Sequence, residues 1–95
     1  MQVQFKRERK GGLRRAAVYI DHQPVPFRNE AARHDLEPDR DYVVNWRLIG
    51  DTGSSVKVTM IADGVAGTLF EATLKHADAG RLSNGKILRL EGVTP

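Results

Sequence analysis

Ninety-five residues, 40% hydrophobic and 28% charged, make one globular domain. Such a chain buries about 60 to 65% of its unfolded surface and leaves little room for a catalytic pocket. The absence of cysteine excludes a disulfide framework, a thiolate metal site and a cysteine nucleophile. The formal charge of +3 is unevenly placed: residues 1–15 hold Lys6, Arg7, Arg9, Lys10, Arg14 and Arg15 against Glu8 alone, and the rest of the chain is net acidic.

Residues 2–9 alternate around Val3 and Phe5, Gly11-Gly12 interrupts, and residues 13–20 rise into Val18, Tyr19 and Ile20. This pattern predicts a β-hairpin arm over residues 1–15 with a basic tip. Pro24 and Pro26 end the strand or confine it to an edge, because neither donates to a ladder. Residues 29–36, NEAARHDL, are the one predicted helix, capped by Asn29 and stopped by Pro38. Over residues 41–49, Tyr42, Val44, Trp46 and Leu48 fall on one face and Val43, Asn45, Arg47 and Ile49 on the other, which is a strand with one apolar side. The turn GDTGSS follows, and Val56, Val58, Met60 and Ala62 alternate after it, predicting a central hairpin over 41–62. Asp63-Gly64 precedes a further strand in which Phe70, Ala72 and Leu74 share a side, and residues 86–90 close the pattern with Leu88 and Leu90. Residues 92–95 are expected to fray.

The expected fold is therefore all-β: a single small antiparallel β-sandwich spanning residues 1–95, of six or seven short strands and at most one short helix. Leu36-Glu37-Pro38-Asp39-Arg40-Asp41-Tyr42 resembles the Leu-x-Pro-x-x-x-Tyr corner of fibronectin type III and other immunoglobulin-like sandwiches. The resemblance implies that Leu36 plugs the core and that the Tyr42 hydroxyl bonds back to the upstream backbone. In that family the corner comes late, whereas here enough chain for three or four strands follows Tyr42. VYIDHQPVP ahead of this segment is similar to prealbumin-like or PEGA-type sandwiches, with His22 and Asp39 standing where those patterns have Gly. Both likenesses imply a binding or spacer module without catalytic residues.

Chemical motifs are few. Asp51-Thr52-Gly53 matches the aspartic-protease signature, but the second apolar-apolar-Gly strand that the mechanism needs would lie past residue 95, and a turn uses the same residues. Asp35, Glu37, Asp39 and Asp41 alternate without the Gly and Glu spacing of a calcium loop, and His22, His34 and His76 have no paired metal spacing. No metal, cofactor or catalytic residue is expected. Trp46 and Tyr42 are expected in the core. With a polar N-terminus and no run of 18 apolar residues, the chain reads as soluble, cytoplasmic and without a membrane span.

The function expected on these grounds is a non-enzymatic interaction module that meets another protein through a sheet edge or end loops. The alternative is polyanion binding, nucleic acid first and acidic polysaccharide second, by Lys6, Arg7, Arg9, Lys10, Arg14 and Arg15. Six phosphate contacts on duplex DNA imply a log-affinity against log-salt slope of about −4 to −5. Basic residues also discourage edge-to-edge pairing of small β proteins.

Overall fold

A computed structural model describes residues 1–90, and the predicted frayed tail at 92–95 lies outside them. Eight strands follow one another: β1 Gln2–Lys10, β2 Leu13–Ile20, β3 Gln23–Pro24, β4 Ala31–Asp35, β5 Asp41–Gly50, β6 Ser55–Ala62, β7 Val65–Thr73 and β8 Arg81–Arg89. They form two four-stranded antiparallel sheets, ordered β4-β1-β6-β7 and β3-β2-β5-β8. Val3, Phe5, Val56, Val58 and Phe70 from the first sheet, with Leu74 just past β7, meet Ala16, Val18, Ile20, Val44, Trp46, Leu48 and Leu88 from the second in one buried core. The molecule is the small β-sandwich that the period-two pattern predicts, and no helix among the described residues is long and apolar enough to cross a membrane.

Three predicted elements are corrected. Residues 31–35 are strand β4 rather than helix, because Asn29 and Glu30 take φ of 51° and 64°. Arg28 and Ala31 exchange both backbone hydrogen bonds around them, the geometry of a type I′ turn. Asn29 thus shapes a reversal instead of capping a helix, and Ala32 is delivered opposite Phe5. The only helical turn among the described residues is a single 3-10 turn at His76–Asp78.

The two predicted hairpins are also absent. β1 and β2 lie in different sheets, as do β5 and β6, so Gly11-Gly12 and residues 51–54 are crossovers between the layers. An antiparallel hairpin and a sheet-to-sheet crossover both need a short turn with glycine, and alternation alone does not separate them. What separates them here is that the crossovers dock on each other. Asp51 N donates to Gly12 O at 3.1 Å, and a Cβ on Gly50 would stand 2.6 Å from Gly12 O and 2.7 Å from Leu13 Cα. The hairpins that do form join β2 to β3 through Asp21-His22 and β6 to β7 through Asp63-Gly64, both with positive φ at the two central residues.

The corner over Leu36 to Tyr42 has the geometry its residues suggest. Leu36 is buried, and the Glu37 backbone N–H donates to the Tyr42 hydroxyl at 2.6 Å where β5 begins. Tyr42→Phe removes that acceptor from a partly buried hydrogen bond and is expected to lower stability by about 1 kcal/mol. An unchanged midpoint in urea would show that water replaces the hydroxyl at no cost.

Candidate anion-binding face

The crossover at Gly11-Gly12 divides the six basic residues of the N-terminal segment between the two layers. Lys6 and Lys10 lie exposed on the outer face of the first sheet, beside Glu8, which stands opposite Lys57, itself opposite Glu71. That outer face is charge-mixed. Arg7 and Arg9 continue the inward row of Val3 and Phe5 toward the sandwich rim. The Glu30 carboxylate accepts from both guanidinium groups, from Arg7 Nη2 at 2.7 Å and from Arg9 Nε at 3.0 Å.

Arg7 bridges the two layers. Its Nη1 donates to Ala16 O on β2 at 2.6 Å, and its guanidinium carbon sits 4.4 Å over the Phe27 ring. Bonded by two arginines, Glu30 has its pKa lowered from the ordinary carboxylate value, chiefly by the Arg7 hydrogen bonds and against the effect of partial burial. At the opposite rim Lys86 Nζ donates across to Leu69 O at 2.9 Å. Arg7 and Lys86 thus tie the two layers together, while Arg9 is held by Glu30 on the side of the first sheet.

A bulge between Leu13 and Arg15 shifts the register of β2 by one residue. Consecutive arginines 14 and 15 therefore both leave the core while Leu13 and Ala16 enter it. Arg15 falls opposite Ile49 on β5, and Ile49 falls opposite Arg81 on β8. Arg47, two residues back along β5, shares the outward face with Ile49. The next row places Tyr19 opposite Asn45. Arg15, Arg47, Arg81, Tyr19, His22, Asn45 and Ser83 line an open groove of about 790 Å³ on the outer face of the second sheet, and no Asp or Glu among the described residues lines it.

None of the three groove arginines is held by a carboxylate among the described residues, and Arg47 has only the Tyr19 ring, 5.7 Å from its guanidinium carbon. Toward the other end of the sheet Arg40 pairs with Asp21 at 3.2 Å and Arg89 with Asp41 at 3.3 Å. Of the six cations singled out in the sequence, only Arg15 enters the groove. Arg14 lies with Arg7 and Arg9 in a second depression beside Phe27, which Arg15 borders as well, so four of the six come together there. Arg47 and Arg81 were missed because only the pairing of β2, β5 and β8 brings them to Arg15. The legible signal was Arg47 on the polar side of the clearest strand.

Asp51 belongs to the crossover loop, and no three His, Cys, Asp or Glu side chains among the described residues are placed to hold a metal ion. Trp46 and Tyr42 point into the core. Comparisons with protein-family models, with curated proteins and with solved structures find no match.

Proposed function

We propose that the chain is a non-enzymatic binding module whose ligand is a polyanion, held on the outer face of β2, β5 and β8. The observation that carries this reading is the convergence of Arg15, Arg47 and Arg81 on a groove where, among the described residues, they have no carboxylate partner and no acidic side chain lines the surface. Cations that are not neutralised by the protein gain most from neutralising phosphate or sulfate, through release of the polymer's condensed counterions. A protein partner has less to hold. The large exposed hydrophobic residues among those described are Met1, Val43, Val65 and Ile87, of which Val43 and Ile87 form one cross-strand pair and the others stand apart.

Three arginine contacts predict a log-affinity against log-salt slope of about −2 to −3, at roughly 0.7 to 0.9 per phosphate, against about −4 to −5 for the six-residue N-terminal cluster. Fluorescence anisotropy with labelled oligonucleotides across about 50 to 200 mM salt separates the two. Arg47→Ala and Arg81→Ala are each expected to weaken binding and to flatten the slope by nearly one contact, while Lys6→Ala and Lys10→Ala leave both unchanged. The reverse pattern would return the site to the N-terminal segment. Affinity weaker than about 100 μM at the lower salt would remove the polyanion reading altogether.

A further inference from the structure

Resting on that reading, we propose that the polymer is single-stranded nucleic acid, laid across β2, β5 and β8 with a base stacked at Tyr19 and its phosphates at Arg15, Arg47 and Arg81. Tyr19 is half-buried on the outer face of β2, so its ring is already held in place, and it borders the arginines instead of packing in the core. Arg47 stands over that ring, giving the groove a second planar surface. Directly across from Tyr19 lies Asn45, whose amide both donates and accepts, within one inter-strand spacing of the ring. An apolar Ile49 sits between Arg15 and Arg81, which are two strands and hence about 10 Å apart along the pairing direction.

This mixture separates the possible polymers. A duplex stacks its bases on one another and offers a shallow face only sugar and phosphate, and among the described residues no helix rises from these strands to enter a groove. Tyr19, Ile49 and Asn45 would then face nothing suited to them. A sulfated polysaccharide satisfies the arginines but brings saturated rings without a π-face. An unpaired strand supplies phosphate for the cations, a flat base for Tyr19 and the guanidinium of Arg47, and base edges for Asn45. Tyr19 and Asn45, both half-buried on the sheet, are positioned before the ligand arrives, which reduces the ordering cost of binding.

The test compares a labelled single-stranded oligonucleotide, the same sequence as a duplex, and heparin, at about 50 mM salt where such contacts are strongest. The single strand is expected to bind at least about tenfold more tightly than the duplex. Tyr19→Ala should weaken single-strand binding by about 5- to 100-fold with the salt slope unchanged, and Tyr19→Phe should stay within about twofold, since stacking needs the ring and not the hydroxyl. Thermal melts monitor folding of each variant, and Tyr19→Leu, closer in bulk, replaces the alanine variant if that one unfolds. Equal or tighter binding of duplex or heparin, or a single-strand affinity indifferent to loss of the ring, overturns this proposal while the polyanion reading stands. Indifference of every ligand to Arg47→Ala overturns both.

Discussion

Replacing Trp46 by alanine is expected to lower the unfolding free energy by about 3 to 5 kcal/mol, a large share of the whole stability of a domain this size. Trp46 on β5 and Phe70 on β7 stack across the sandwich with ring centroids 4.1 Å apart and planes 4° from parallel, each under a tenth exposed. Truncation removes both the transfer free energy of the indole and the face against which Phe70 rests. The neighbours that would have to close the gap are held in two separate ladders, so little collapse is available. Phe70→Ala should cost a similar amount. The double variant should fall short of the sum by about 0.5 to 1.5 kcal/mol, the worth of the ring pair beyond its area.

Trp46→Phe distinguishes packing from polarity at the same position. The Nε1 of Trp46 is buried without a hydrogen-bond partner, so the indole carries a desolvation cost that phenylalanine does not. That relief offsets part of the lost volume, and Trp46→Phe is expected to cost no more than about 1.5 kcal/mol. Urea titrations followed by circular dichroism read all of these variants, since Trp46 is the only tryptophan and its fluorescence disappears with it. A Trp46→Phe loss as large as that of the alanine variant would mean that the indole N–H is satisfied by water in solution.

How far the chain announces this structure depends on which interactions are local. Alternation within a strand is a property of neighbours in sequence, so the inward row of Tyr42, Val44, Trp46 and Leu48 was legible, and with it the all-β core. Two bulges broke the same rule. The register shift between Val58 and Thr59 turns both Leu69 and Phe70 inward, although they are consecutive, and the one in β2 turns Arg14 and Arg15 outward. Turn chemistry was only half informative. Asp63-Gly64 marked a true hairpin, whereas Gly11-Gly12 and residues 51–54 marked crossovers whose identity rests on contacts between two loops far apart in sequence.

The candidate site was harder to read than the core for the same reason. A run of cations is visible in any sequence, but Arg15, Arg47 and Arg81 become a site only through the order β2-β5-β8. Conversely, the densest basic stretch proved to be partly consumed by structure. Continuing the Val3 and Phe5 alternation by two steps reaches Arg7 and Arg9, so their inward direction was legible in the sequence, though Glu30 as their common partner was not.

Arg7→Ala should therefore destabilise the fold by about 2 to 3 kcal/mol while leaving polyanion affinity at a given folded concentration unchanged. The substitution strips Ala16 O of its donor, uncovers the Phe27 ring and leaves Glu30 with Arg9 alone. Full burial would raise the cost further, but Glu30 is 35% exposed and water repays part of it. At about 4 to 8 °C per kcal/mol for a domain of this length, the melting midpoint should fall by roughly 10 to 20 °C. Arg7→Lys keeps the charge and loses the fork, and should lie between. The pH dependence has a fixed sign. Because Glu30 is more acidic folded than unfolded, its contribution is complete above the unfolded carboxylate value near 4.3 and is lost as pH falls through the lower folded value. The gap in stability between the parent chain and Glu30→Gln should accordingly be widest at neutral pH and narrow on acidification below about pH 5. A gap that stays constant down to about pH 3 would show that Glu30 acts through shape and hydrogen bonding rather than charge.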